Sequence, residues 1–109
     1  MNTELGKITT CYFGRGGYQD CMIGLTLQFS GKSWGVGDFI GAWDWTFSKD
    51  KDDAYKAFLN EQYAKTTQRI SELLSQAKVD RIEKLLGKPV EVTFENMVMK
   101  SWRILEEVI

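Results

Sequence analysis

A short glycine-rich stretch near the N-terminus has the residue types of a phosphate-binding loop. Residues 14–17 read GRGG, and Tyr18 follows them. Such a loop can present backbone N–H groups and one guanidinium to a phosphate, so Arg15, Gly16 and Gly17 are candidate ligands. The stretch lacks the GxxxxGK[ST] spacing of a P-loop. The favoured structural alternative is a hairpin turn that requires positive φ and leaves the arginine in solvent.

A second candidate surface contains paired tryptophans. Trp43 and Trp45 flank Asp44, and strand alternation places both rings on one face and the carboxylate on the other. Indole rings suit stacking on a nucleobase, and an exposed pair would mark an interface. Burial of both rings against a helix is the favoured interpretation, because large aromatic side chains are mostly buried.

Asp38 occupies a position where the pattern predicts an apolar side chain. Residues 19–29 alternate as a half-buried strand, and a two-residue turn at 30–31 would place Asp38 on the core face opposite Ile23. An unpaired buried charge is costly. Either the strand ends or bulges at Gly37, or the carboxylate has a partner. The candidate partners are Arg15, Arg103 and a backbone turn.

The two faces of this predicted hairpin differ in composition. The same register places Trp34 opposite Leu27 in the core, whereas Gly24, Gly35 and Gly37 share the other face. Glycines inside strands often mark the close approach of another group. Tight packing of a helix on this glycine face is favoured over a ligand or partner surface.

The residue type most often used for acid–base catalysis is missing. The chain has no histidine, which removes the commonest general base and metal ligand. The enzymatic alternative is a metal-dependent phosphodiesterase using the carboxylates of Asp20, Asp38 and Asp44, whose spacing matches no known motif. We therefore expect no catalytic residues, no bound metal and no cofactor.

The two cysteines do not have the spacing of a metal site. Cys11 and Cys21 are ten residues apart and would face each other if the first hairpin centred on Gly16. A cross-strand redox pair is one interpretation. Two small, reduced, buried side chains are favoured.

Length and charge limit the remaining possibilities. The 109 residues suffice for one domain, 1–109, and the formal net charge is −1, with 14 basic and 15 acidic residues interspersed. This balance argues against direct nucleic-acid binding. The start of the chain has no signal pattern, and no apolar run reaches membrane-spanning length, so we expect a cytoplasmic protein.

The periodicity of the chain predicts an α+β fold. An N-terminal antiparallel meander is followed by a long amphipathic helix over 51–77, a short helix and a C-terminal hairpin that joins the sheet. Asp80 is predicted to cap the short helix, and Gly87 to end it. The predicted strands are 7–13, 19–29, a third after the turn at 30–31, then 90–94 and 97–105, the last with a bulge between Met99 and Trp102.

Much of the chain resembles a group of small proteins encoded by tailed bacteriophages and prophages. The resemblance is carried by FGRGGYQD, GLTLQFSGKSWGVGDFIGAWDW and the ending LLGKPVEVTFENMVMKSWRILEEVI, and is weakest in the middle of the long helix. It implies a phage accessory protein made in the bacterial cytoplasm, and no catalytic residues follow from it. Small phage proteins of this kind often act by binding a defence enzyme or a nucleotide signal.

Together these features predict a non-catalytic, phage-encoded anti-defence protein that sequesters a nucleotide-like immune signal. Direct inhibition of a host defence protein, and a minor structural or assembly role, are the alternatives. A homo-oligomer is expected, because small sheet proteins often cover an edge by pairing. The predicted ligand-binding residues are Arg15, Gly16, Gly17, Tyr18, Asp38, Trp43 and Trp45.

Overall fold

The computed structural model describes all 109 residues and confirms the α+β class. One long helix, α1, spans Asp53–Ala77. The five strands are β1 (Asn2–Gly16), β2 (Met22–Ser30), β3 (Gly35–Trp43), β4 (Pro89–Glu95) and β5 (Val98–Ile104). Short 3₁₀ turns cover Tyr18–Asp20, Trp45–Ser48, Ile82–Leu85 and Glu106–Val108.

The strands form one antiparallel sheet in the order β3-β2-β1-β4-β5. The long strand β1 joins the two halves, because residues 2–7 pair with β4 and residues 7–16 pair with β2. The predicted meander and the predicted C-terminal hairpin therefore share one sheet. The bulge in β5 is confirmed: Thr93 pairs with Ser101 and Phe94 with Met99, which leaves Lys100 as the extra residue.

The predicted two-residue turn between β2 and β3 is wrong. The strands are joined by four residues, 31–34, so Leu27 faces Asp38 and Leu25 faces Ile40. The partners shift by four positions relative to the prediction. Because four is an even number, every side chain keeps its predicted face. Trp34 lies in the loop instead of β3, where its ring packs edge-on against Phe94 at 5.3 Å and against the core.

The core lies between one face of the sheet and α1. Leu25, Leu27 and Phe29 of β2 are at most 1% exposed and belong to one cluster with Leu73 and Ala77 of α1. The remaining members are Ile8, Leu85, Val90, Val92 and Ile104. This packing places α1 on the face opposite the glycines.

The glycine face is covered by an aromatic ring, and the predicted helix does not pack there. Gly24 pairs with Gly41 across β2 and β3. A Cβ at Gly41 would lie 2.5 Å from the ring of Phe39, and one at Gly16 would lie 3.2 Å from the same ring. The Phe39 ring therefore lies over two positions where a Cβ would crowd it. Gly35 and Gly37 remain exposed.

The N-terminus of α1 is capped by an aspartate. Asp52 accepts a hydrogen bond of 2.8 Å from the Tyr55 backbone N–H, and Asp53 lies in the first turn. The predicted cap at Asp80 is wrong, since the segment Ile82–Leu85 is a 3₁₀ turn without a side-chain cap. The Asp80 carboxylate instead pairs with Arg81 and Lys84, which lowers its pKa through hydrogen bonds.

The first hairpin is longer than predicted. Arg15 and Gly16 belong to β1, opposite Ile23 and Met22, and the connection is 17–21. Cys11 consequently faces Leu27, so the predicted opposition of the two cysteines is wrong. Both thiols are free and half-buried.

The sheet curls enough for one side chain on each of its two edge strands to touch. The Trp102 indole N–H on β5 donates a hydrogen bond of 2.7 Å to Asp38 Oδ2 on β3. The other carboxylate oxygen accepts from the Phe39 backbone N–H at 2.8 Å. β3 and β5 are separated by three strands in the sheet, so this bond joins its two edges. The Asp38 carboxylate, which is half-buried, therefore has a partner, but neither Arg15 nor Arg103 provides it.

Candidate functional site

Four segments converge at one end of the sheet. The last residues of β1, the loop 17–21, the start of β2 and the end of β3 meet there, with Gly16 facing Met22 and Met22 facing Trp43. The Asp44 backbone N–H closes this end with a hydrogen bond of 2.9 Å to the Cys21 carbonyl. The arrangement brings together six of the seven predicted binding residues: Arg15, Gly16, Gly17, Tyr18, Trp43 and Trp45.

Asp44 is buried at this corner and contacts both Thr46 and Arg15. Only 4% of the residue is exposed. Its Oδ1 accepts hydrogen bonds from the Thr46 backbone N–H at 3.0 Å and from the Thr46 hydroxyl at 2.9 Å, which caps the 3₁₀ turn Trp45–Ser48. The backbone hydrogen bond from Thr46, together with the Thr46 hydroxyl and Arg15, outweighs desolvation and lowers the pKa of this carboxyl.

Arg15 is held by Asp44 and still faces solvent. Its Nε lies 2.7 Å from Asp44 Oδ2, while the arginine side chain is 63% exposed. The contact recorded between them is at the Nε of the guanidinium. The planar fork carries further donors on its terminal nitrogens, which can bind an anion while Asp44 fixes the orientation. The pair is close to neutral, so attraction for an anion comes from these donors more than from net charge.

Gly16 and Gly17 do not form the phosphate-binding loop that the sequence predicts. Gly16 lies in β1 and Gly17 alone adopts a left-handed φ of +68°. A Cβ at Gly17 would lie 2.8 Å from the Met22 sulfur, so this turn needs glycine for both conformation and space. The amide cradle predicted for Gly16 and Gly17 is therefore reduced to one loop residue beside Tyr18, whose side chain is exposed.

The two tryptophans lie at the surface, and the favoured prediction that both are buried is wrong. Trp43 is 37% exposed and Trp45 is 45% exposed. Trp45 packs against Tyr63 of α1, with ring centroids 6.4 Å apart. The Tyr63 hydroxyl donates a hydrogen bond of 2.6 Å to the Trp43 carbonyl. Burial raises the pKa of Tyr63, so this donor stays protonated.

One more exposed aromatic side chain follows Asp44 in the chain. Phe47, in the 3₁₀ turn after Asp44, is 58% exposed. We call Tyr18, Trp43, Trp45 and Phe47 the aromatic rim. Neither Phe47 nor the Tyr63 contact was predicted from the sequence. The only available signal was the continuation of AWDW into TF, which adds one more aromatic residue to the stretch.

Asp38 lies outside the corner. Its carboxylate is engaged inside the curl by Trp102 and Phe39. Asp38 and Asp44 are six residues apart at the two ends of an extended segment, which separates them by roughly 20 Å. No group of three or more acidic or cysteine side chains lies close enough to hold a metal ion. The structure thus does not assemble Asp20, Asp38 and Asp44 into one cluster.

The corner is an open surface. The five main cavities of the molecule are lined by other residues. The one nearest to the rim, of about 740 Å³, follows α1 from Tyr63 to Glu72 and is shallow. A ligand at the corner would therefore lie on the rim and not inside an enclosed pocket.

Comparisons of the chain with protein-family models, with curated proteins and with solved structures find no match in any of the three. The only long helix, α1, is not apolar enough to cross a membrane.

Proposed function

We propose that this protein is a non-catalytic binding protein whose site is the corner around Arg15, and that it sequesters a nucleotide-like signal. The observation that carries the proposal is the Arg15–Asp44 pair at an end of the sheet where two indoles are also exposed. A buried carboxylate orients an exposed guanidinium at 2.7 Å. Trp43 and Trp45, on either side of Asp44 in the chain, are 37% and 45% exposed.

Each part of a nucleotide has a matching group at this corner. The terminal nitrogens of Arg15 suit a phosphate, because the guanidinium fork matches its oxygens. The indoles suit a base, since base stacking on an aromatic side chain contributes about 1–3 kcal/mol. The near-neutral charge of the chain agrees with a small anionic ligand rather than a long nucleic acid.

The biological role rests on the resemblance to small phage proteins. A phage protein that binds a nucleotide signal without turning it over would lower the signal available to a host defence system. We therefore propose a phage-encoded anti-defence role, in the cytoplasm of the bacterial host.

Isothermal titration of the protein with a cyclic dinucleotide, a cyclic trinucleotide and adenosine diphosphate ribose tests this proposal. Arg15→Lys is the informative variant, because lysine keeps the charge beside Asp44 but loses the planar fork. We expect at least a tenfold loss of affinity with an unchanged melting temperature. Arg103→Lys, at an exposed arginine that pairs with Glu91 and Glu107, is the matched control and should bind normally. Equal affinity in the Arg15 and Arg103 variants would refute the site.

A second candidate is direct binding of a host defence protein through the aromatic rim. The specific observation in its favour is that the rim is open and extends to Phe47, giving an apolar surface without a pocket. A photo-crosslinking residue at Phe47 should then capture one defined host protein. The same residue at Met97, which is 96% exposed, is the control and should not.

A further inference from the structure

The backbone N–H and C=O groups on the outer edge of β3 have partners or cover along only half of the strand. The loop bond from Gly31 N–H to the Trp34 carbonyl and the bond from Asp44 N–H to the Cys21 carbonyl bracket the β2–β3 ladder. Both bonds belong to the same register as the strand pairs. Because antiparallel bonding alternates, the even-numbered residues of β3 bond to β2, and the odd-numbered ones direct N–H and C=O away from it.

The second half of this edge is satisfied within the chain. The outward Phe39 N–H donates to Asp38 Oδ1, and the outward Trp43 carbonyl accepts from the Tyr63 hydroxyl. The helix α1 lies beside this half, since Gln62 and Thr66 line a cleft with residues 39–41. The first half has no such cover, because Gly35 and Gly37 are both exposed.

The open half also has few of the features that protect an edge strand from pairing. The opposite edge, β5, has a bulge at Lys100 together with the charged side chain of that residue. β3 has no lysine, no proline and no bulge within Gly35–Trp43, and its one charged side chain, Asp38, points to the core face and is bound by Trp102. Unprotected edges pair with other strands. Glycine at both open positions leaves space for a second backbone on the outer face.

We infer that the edge at Gly35–Gly37 is a homodimer interface, in which β3 pairs antiparallel with β3 of a second copy. A two-fold axis through Val36 places Gly35 of one copy opposite Gly37 of the other. Their outward N–H and C=O groups then form four hydrogen bonds between the copies. The two Val36 side chains touch on the core face, and no side chain obstructs the outer face. The two sheets become one of ten strands.

A second copy fits this edge because a two-fold rotation about Val36 places each outward N–H group of one copy opposite an outward C=O group of the other. The paired segment is short compared with the ~800 Å² per partner that a stable interface buries. The dimer is therefore weak, and its population rises with protein concentration. We expect a monomer of 12.5 kDa in dilute solution and a dimer fraction that grows with protein concentration.

Sedimentation equilibrium of three proteins tests the inference. Gly35→Pro removes one outward N–H and places a ring at the edge, without touching a bond to β2. Gly35→Ala is the matched control: its methyl group has room, since the nearest atom is Phe29 O at 3.8 Å. We expect wild type and Gly35→Ala to dimerise and Gly35→Pro to remain monomeric. A wild-type monomer at about 1 mM, or a dimer that persists in Gly35→Pro, would overturn the inference.

Amide exchange provides an independent measurement if Gly35→Pro fails to fold. In the wild-type protein, the Gly35 and Gly37 amides should exchange more slowly as concentration rises. The Val36 amide, which bonds to β2, should be protected at every concentration. Concentration-independent exchange at both glycines would also contradict the dimer.

Discussion

The hydrogen bond between Asp38 and Trp102 is predicted to hold the curled sheet closed. It joins β3 to β5 at 2.7 Å, and no other side-chain hydrogen bond links these two edge strands. Replacing Asp38 by alanine removes the acceptor and leaves the indole N–H without a partner. Replacing Trp102 by phenylalanine removes the donor and keeps a ring against Phe29, whose centroid lies 4.5 Å away.

The expected size of this effect follows from the charge on the acceptor. A hydrogen bond to a charged group contributes about 1.5–3 kcal/mol to the free energy of unfolding. At 109 residues, 1 kcal/mol corresponds to about 4 °C in melting temperature. Asp38→Ala should therefore lower the melting temperature by about 6–12 °C. Asp38→Asn, which keeps a neutral acceptor, should lose less.

A double-mutant cycle isolates the bond from the other contacts of the two residues. Urea unfolding followed by circular dichroism should give a coupling energy of about 1.5–3 kcal/mol between Asp38→Ala and Trp102→Phe. Trp34→Phe, at a partly buried indole without a carboxylate partner, should instead be additive with Asp38→Ala. A coupling below about 0.5 kcal/mol for the Asp38–Trp102 pair would refute its role in closing the sheet.

Three further predictions concern other contacts. Asp44→Asn should be less stable than wild type at pH 7. The pKa of Asp44 is lower in the folded than in the unfolded protein, so the ionised carboxylate stabilises the fold at every pH above the unfolded pKa near 3.9. Thermal melts should show this difference shrinking as pH falls through the folded pKa, and a constant difference would contradict it. Tyr63→Phe removes the bond to the Trp43 carbonyl and should cost about 0.5–1.5 kcal/mol in chemical denaturation, whereas Tyr55→Phe should not. Burial raises the pKa of Cys11, whose thiol donates to the Ile82 carbonyl at 3.3 Å. Iodoacetamide at pH 8 should thus alkylate it more slowly in the folded than in the urea-unfolded protein, and equal rates would be the contrary result.

The fold was predictable where a local pattern determines structure. The period of 3.6 residues predicted a helix over 51–77, and α1 spans Asp53–Ala77. The alternation in 19–29 identified β2 and the faces of its neighbour β3. The phase slip in the last strand identified the bulge at Lys100.

The errors arose where a turn sets the register. The four-residue loop 31–34 was taken as a two-residue turn, and the first hairpin was centred on Gly16, although its loop is 17–21. Loop length moves every cross-strand pair, so the predicted opposition of Cys11 and Cys21 failed with it. The glycine face was assigned to the helix because the sequence does not indicate that Phe39 folds back over Gly41.

The candidate site was predictable as a set of residues but not as an arrangement. Arg15 and the tryptophans were identified by type, and the hairpins bring them to one end of the sheet. The pairing of Arg15 with Asp44 depends on two loops meeting. The partner of Asp38 lies 64 residues away and becomes adjacent only when the sheet curls.

Native mass spectrometry of the protein purified from bacterial cells with active defence signalling tests the proposed function most directly. The expected mass is that of the 12.5 kDa chain plus one nucleotide-like molecule. The Arg15→Lys variant, purified in the same way, should carry no ligand. A bare wild-type protein from cells shown to contain the signal would contradict the proposal that the corner around Arg15 sequesters it.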